Sequence, residues 1–193
     1  MKAIFVIGVV LITITIAWGA FYFLPIQEKG LMVENRETST KESTVKLVDF
    51  SQLDPEFLFS AKIPKEFRVE YIPRLKVINI YDPNVLGKNN VEKSQMYITL
   101  FKAGRFLTLS TVEITQQDRV SINDKDAILY EITKKEFVPN FAGQPAWRNS
   151  KHKALDIRYS KDSPSYFYSF AQNPNLSQKK FDDVISSLIF IDN

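Results

Sequence analysis

The stretch QPAWRNSKHK, residues 144–153, holds the chain's single histidine, His152, and one of its two tryptophans, Trp147. Arg148, Lys151 and Lys153 stand beside them. A single histidine bounds the chemistry tightly. A two-histidine metal site within the chain is impossible, and a Ser-His-Asp hydrolase would have to use His152. Asp156 lies four residues on, but in a strand over 153–159 it would point away from its neighbours' face. No GxSxG turn presents a serine. His152 therefore reads as a surface histidine without a catalytic role.

Other chemistries fare no better. Asp124 and Asp126 could pair to hold calcium or to act as acid and base. However, NDKDA lacks the glycine and the later glutamate of a calcium loop, and turns favour Asn and Asp in any case. Gly87, Gly104 and Gly143 lie too far apart to build a phosphate-cradling loop. The absence of cysteine excludes disulfides, thiol catalysis, Cys-ligated zinc and iron–sulfur clusters. A net charge of +3 is too weak to imply nucleic acid. Tyr and Phe alternate as a sheet core requires, which removes the case for base stacking. The sequence thus predicts no catalytic residue, no metal ligand and no cofactor.

What stands out is the loop 135–152, KEFVPNFAGQPAWRNSKH, long for a compact domain and carrying Phe137, Phe141, Trp147 and Arg148. Aromatics and arginine are favoured interface anchors. Phe141, Trp147, Arg148 and His152 are the candidate binding residues. Two readings stay open. The loop forms a binding rim, or Phe141 and Trp147 cap one end of the core with Arg148 and Lys151 solvated around them.

The elements that would position this loop are mostly strands. Period-two alternation places Phe67, Val69 and Tyr71 on one face, and likewise Met96, Ile98 and Leu100, Ile128, Tyr130 and Ile132, Leu155, Ile157 and Tyr159, and Tyr166, Tyr168 and Phe170. FLTLSTVEI, residues 106–114, is rich in β-formers, and SIND predicts a turn at Asn123-Asp124 joining strands 118–122 and 127–133. One helix is expected after NPN, with Phe181, Val184, Ile185 and Leu188 on one stripe and Ser177 as its cap. A short helix is expected near 51–57, limited by Pro55, and LIFID suits a last strand. The fold class predicted is α+β, an antiparallel sheet with helices packed on it.

Upstream, residues 3–24 carry no charge and span roughly 33 Å as a helix, close to the hydrocarbon core of a bilayer. Trp18, Phe21, Tyr22 and Phe23 cluster at the far end, as interfacial rings do. The expectation is a transmembrane anchor over 1–25, N-terminus in the cytoplasm, with a polar tether over 26–47 and an extracytoplasmic domain over 48–193. A cleaved signal peptide ending near AWGA is the competing reading, and it would make the domain secreted.

Three phrases, FSAKIPKEF (59–67), VSINDKDAILYEI (120–132) and FDDVISSLIF (181–190), in this order of elements, resemble the PsbP-like superfamily over roughly residues 57–191. The resemblance implies an α/β/α sandwich and a binding or assembly role at a membrane surface. The chain has no lipobox cysteine, so its anchor would be the segment 3–24. The function predicted is a membrane-anchored extracytoplasmic binding or assembly module without catalysis, with a protein partner at the envelope. A carboxylate-dependent envelope hydrolase and a purely structural envelope protein are the alternatives.

Overall fold

A computed structural model describes residues 44–106, 110–159 and 166–191. Ten strands, one α-helix and three short 3-10 turns follow one another in these residues. Strands β3 (Arg68–Ile72), β4 (Val77–Tyr81), β5 (Ser94–Lys102), β6 (Val112–Ile122), β7 (Lys125–Lys134), β8 (His152–Arg158) and β9 (Tyr166–Gln172) form one sheet in the order β3-β4-β5-β9-β8-β7-β6. Each neighbouring pair is antiparallel. Strands β1 (Val45–Asp49), β2 (Phe59–Pro64) and β10 (Ile189–Phe190) form a second, three-stranded sheet with β2 in the middle. β1 begins inside the segment read as tether.

The register explains the core. Ile78, Ile98, Phe170 and Leu155 lie side by side across four strands, and all four are buried. Alternation puts them on one face of the large sheet. The small sheet covers this inner face through Phe59, whose ring sits 4.9 Å from Tyr168 and 5.5 Å from Phe170. The Tyr168 hydroxyl donates to Glu56 O at 2.7 Å and accepts from Leu58 N at 3.0 Å, which pins the incoming chain to the sheet. Helix α1 (Gln178–Ser186) adds Phe181, Val184 and Ile185 to the same core, the stripe its spacing required. Burying each such side chain is worth about 1.5–3 kcal/mol. Ser177 caps the helix by accepting from Lys180 N at 3.4 Å.

The hairpin forms where SIND placed it. Asn123 and Asp124 both adopt left-handed backbone, φ 48° and 62°, which matches the twist of a two-residue hairpin loop. Its strands run longer than the sequence suggested, because β6 bulges near Gln116 and continues pairing to Lys134.

Helices on both faces are not what this chain builds. α1 is the only α-helix among the described residues, so the molecule is a mostly antiparallel β-structure rather than an α/β/α sandwich. The outer face of the large sheet is covered by irregular chain instead. Pro139, Gly143 and Pro145 interrupt the segment 135–151, and no apolar stripe at helical spacing runs through it. Only Ala146–Asn149 closes into a 3-10 turn. The helix expected near 51–57 is likewise reduced to the 3-10 turn Phe50–Gln52, held by Asp49 accepting from Ser51 N at 3.0 Å. Of the strand expected over 106–114, Val112–Ile114 lie in β6, and residues 107–109 lie outside the described residues. The membrane-crossing helix expected at 3–24 lies outside the described residues. Among those residues, no helix is long and apolar enough to cross a membrane.

Candidate functional site

The candidate site lies beneath the 135–151 segment, on the outer face of the large sheet. β8 carries His152, Ala154 and Asp156 on that face, because alternate residues of a strand share a side. Beside them stand Tyr130 and Ile132 of β7, and Ala171 and Ser169 of β9. The covering segment closes over the His152 end of this face as a lid. Its Trp147 packs on Val77, Tyr97 and Ala171 and donates Nε1–H to Ser94 O at 3.0 Å. Its Phe141 packs on a second apolar cluster with Val112, Tyr130 and Ile132.

Between lid and sheet lies a cavity of about 180 Å³. Phe101, Val112, Ile132 and Phe141 supply its apolar lining, and Thr111, Gln144, Arg148 and His152 its polar lining. Three of the four candidate binding residues therefore line one cavity. The fourth, Trp147, stands behind it with its ring 5.5 Å from that of His152, edge to face.

Arg148 is the unusual group. The core-capping reading leaves it solvated, yet it is only 9% exposed. The 3-10 turn after Pro145 aims it inward, with Arg148 N donating to Pro145 O at 3.0 Å. Nε donates to Gln144 Oε1 at 3.2 Å, and the guanidinium lies 6.0 Å over the Tyr97 ring. Among the described residues, no carboxylate lies within ion-pair distance of it, and Nη1 and Nη2 donate to no protein acceptor. Desolvation draws its pKa down to about 10, opposed by the Tyr97 hydroxyl and by Asp156, so it remains a cation at neutral pH.

His152 is also buried, against the surface position expected of it. Its Nδ1 lies 2.7 Å from Ser150 O, and a carbonyl only accepts, so Nδ1 carries the proton. Burial first, and the Arg148 charge second, push its pKa down to about 4. It is a neutral ring whose Nε2 finds no hydrogen-bond partner among the described residues.

Asp156 shares the face of His152 rather than turning from it, and it is fully buried. Four residues of strand separate the two by roughly 13 Å, too far for a relay. Its charge raises the Tyr130 hydroxyl, after desolvation, to about 12. Asp124 and Asp126 sit at the hairpin end, away from the cavity, and no group of three metal-ligating side chains occurs among the described residues.

Solved structures similar to this chain include two from bacteria. One is a protein of Bacteroides thetaiotaomicron VPI-5482, 14% identical, with a TM-score of 0.43, over 78% of this chain and 50% of that one. The chain thus spans about half of that relative. The other is cyanobacterial PsbP (CyanoP) from Synechocystis sp. PCC 6803, 8% identical, with a TM-score of 0.42, over 79% of this chain and 95% of that one. Both TM-scores lie below 0.5, and the likenesses assign this chain neither a family nor a function. No protein-family model and no curated protein matches the chain.

Sequence reasoning named the loop and its residues but not the cavity. It missed Gln144 and Thr111 as polar lining, and Asp156 as a buried charge. A signal for Asp156 existed, since it and His152 are four apart on a strand. None existed for Thr111, which a distant segment brings in.

Proposed function

We propose that this domain is a binding module without catalysis, which takes its ligand in the cavity beneath the 135–151 lid. The observation that carries this reading is a cationic side chain buried in that cavity wall with hydrogen-bonding capacity left over. Burying a guanidinium costs several kcal/mol unless it is paired, and a site for a ligand explains why the lid aims it inward. A non-catalytic role is supported by His152. Its proton-bearing nitrogen is held by a backbone carbonyl rather than a carboxylate, and it stays neutral where a general base would need a pKa near 7.

The uncharged run 3–24 supports a place for the domain outside the cytoplasm, at a membrane surface or secreted. The resemblance of the quoted phrases to the PsbP-like superfamily points the same way, towards binding or assembly at a membrane.

The test replaces Phe141 with a photo-crosslinking phenylalanine analogue in the full chain and irradiates intact cells. An adduct that disappears in the Arg148→Met background is expected. Adducts indifferent to Arg148, or ester or glycoside turnover abolished by His152→Gln, would overturn the reading.

A further inference from the structure

Resting on that reading, we propose that the cavity between the 135–151 lid and the outer face of the sheet binds a small apolar carboxylate, with Arg148 as its anchor. The class follows from the wall. Arg148 contributes the only formal charge among the described lining residues, because His152 is neutral, so the occupant is an anion rather than a cation. Guanidinium presents paired donors to a carboxylate fork. Arg148 spends Nε on Gln144 and keeps both terminal nitrogens for that purpose.

Gln144 is pre-set to help. Its Oε1 accepts from Arg148, which leaves its amide N–H groups as further donors beside the guanidinium. The Thr111 hydroxyl lines the same cavity. Phe101, Ile132 and Phe141 share the lining with these donors. A phosphate or sulfate would leave that apolar surface against a doubly charged, heavily hydrated group, whereas a carboxylate with a branched or aromatic body suits both kinds of lining. About 180 Å³ is ample for a short acid with a small apolar body.

Asp156 acts on Arg148 through the field but is not among the residues that line the cavity. The same chemistry has two sources, a free acid or the C-terminal carboxylate of a peptide ending in an apolar residue.

Calorimetric titration of the full chain, in detergent micelles, separates these outcomes. The probes are phenylacetate, 4-methylpentanoate, their neutral amides, and an N-acetylated dipeptide ending in leucine. At least one carboxylate is expected to bind, with its amide at least tenfold weaker. Arg148→Met should abolish the binding, and Gln144→Met, which keeps the charge, should weaken it about tenfold. Preference for the dipeptide assigns a peptide terminus, and preference for the short acids assigns a free acid. Equal binding of acid and amide, or binding unchanged in Gln144→Met and Arg148→Met, overturns the proposal. If no carboxylate binds while the Phe141 crosslink remains Arg148-dependent, the ligand class is wrong and the binding reading survives. If both fail, both fall.

Discussion

His152 makes the protein sensitive to acid in a defined window. Its ordinary pKa is near 6.5, and the fold holds it at about 4. The folded state therefore disfavours the proton that the unfolded state accepts. Its contribution is fully present above pH 6.5 and is lost as pH falls from 6.5 towards 4, with no further loss below. The full effect is about 3 kcal/mol. Chemical denaturation of wild type and His152→Gln across pH 4–8 should show the difference between the two shrinking by about that amount as pH drops. Parallel curves would show that His152 titrates normally. Trp147 offers a second test at this scale. Trp147→Ala removes its packing on Tyr97, Val77 and Ala171 and its bond to Ser94 O. It should cost roughly 3 kcal/mol of stability, read from denaturant midpoints. A loss under about 0.5 kcal/mol would mean that the lid does not pack as described.

At the scale of elements, the lid and helix α1 seal opposite faces of one sheet by different means. α1 uses an apolar stripe, and the lid uses single aromatic anchors between prolines. Ile185 is 4% exposed in the α1 contact. Ile185→Asp buries an unpaired carboxylate there, at a cost of several kcal/mol, comparable to the whole stability of a domain. Loss of the cooperative unfolding transition by circular dichroism is expected, and an unchanged melting curve would show the stripe to be solvated. The hairpin, by contrast, was readable locally. Asn and Asp tolerate left-handed backbone, and Asn123 also donates its side-chain amide to Leu188 O, tying the turn to the end of α1.

At the scale of the molecule, residues 41–193 form one compact unit. Expressed alone, they should unfold in a single transition and remain monomeric in sedimentation, because the edges of the large sheet are guarded. β6 exposes Gln116, Gln117, Asp118 and Arg119, and β3 exposes Arg68. Concentration-dependent association of this fragment would show that an edge is used for pairing.

The sequence by itself determined the periodicities, and with them the strands, the Asn123-Asp124 turn and the stripe and cap of α1, because those depend on neighbours a few residues apart. It also bounded the chemistry through one histidine and no cysteine. Only the tertiary structure decided which faces meet. Helices were expected on both sides of the sheet, whereas the second side is closed by a proline-broken lid that no local period encodes. The same closure turned Arg148 and His152 from solvent into the interior. Burial of a long polar side chain depends on what packs around it, and Phe101 from β5 and Thr111 before β6 share the cavity lining with Arg148 and His152. Their place beside Arg148 follows from strand order and not from distance along the chain.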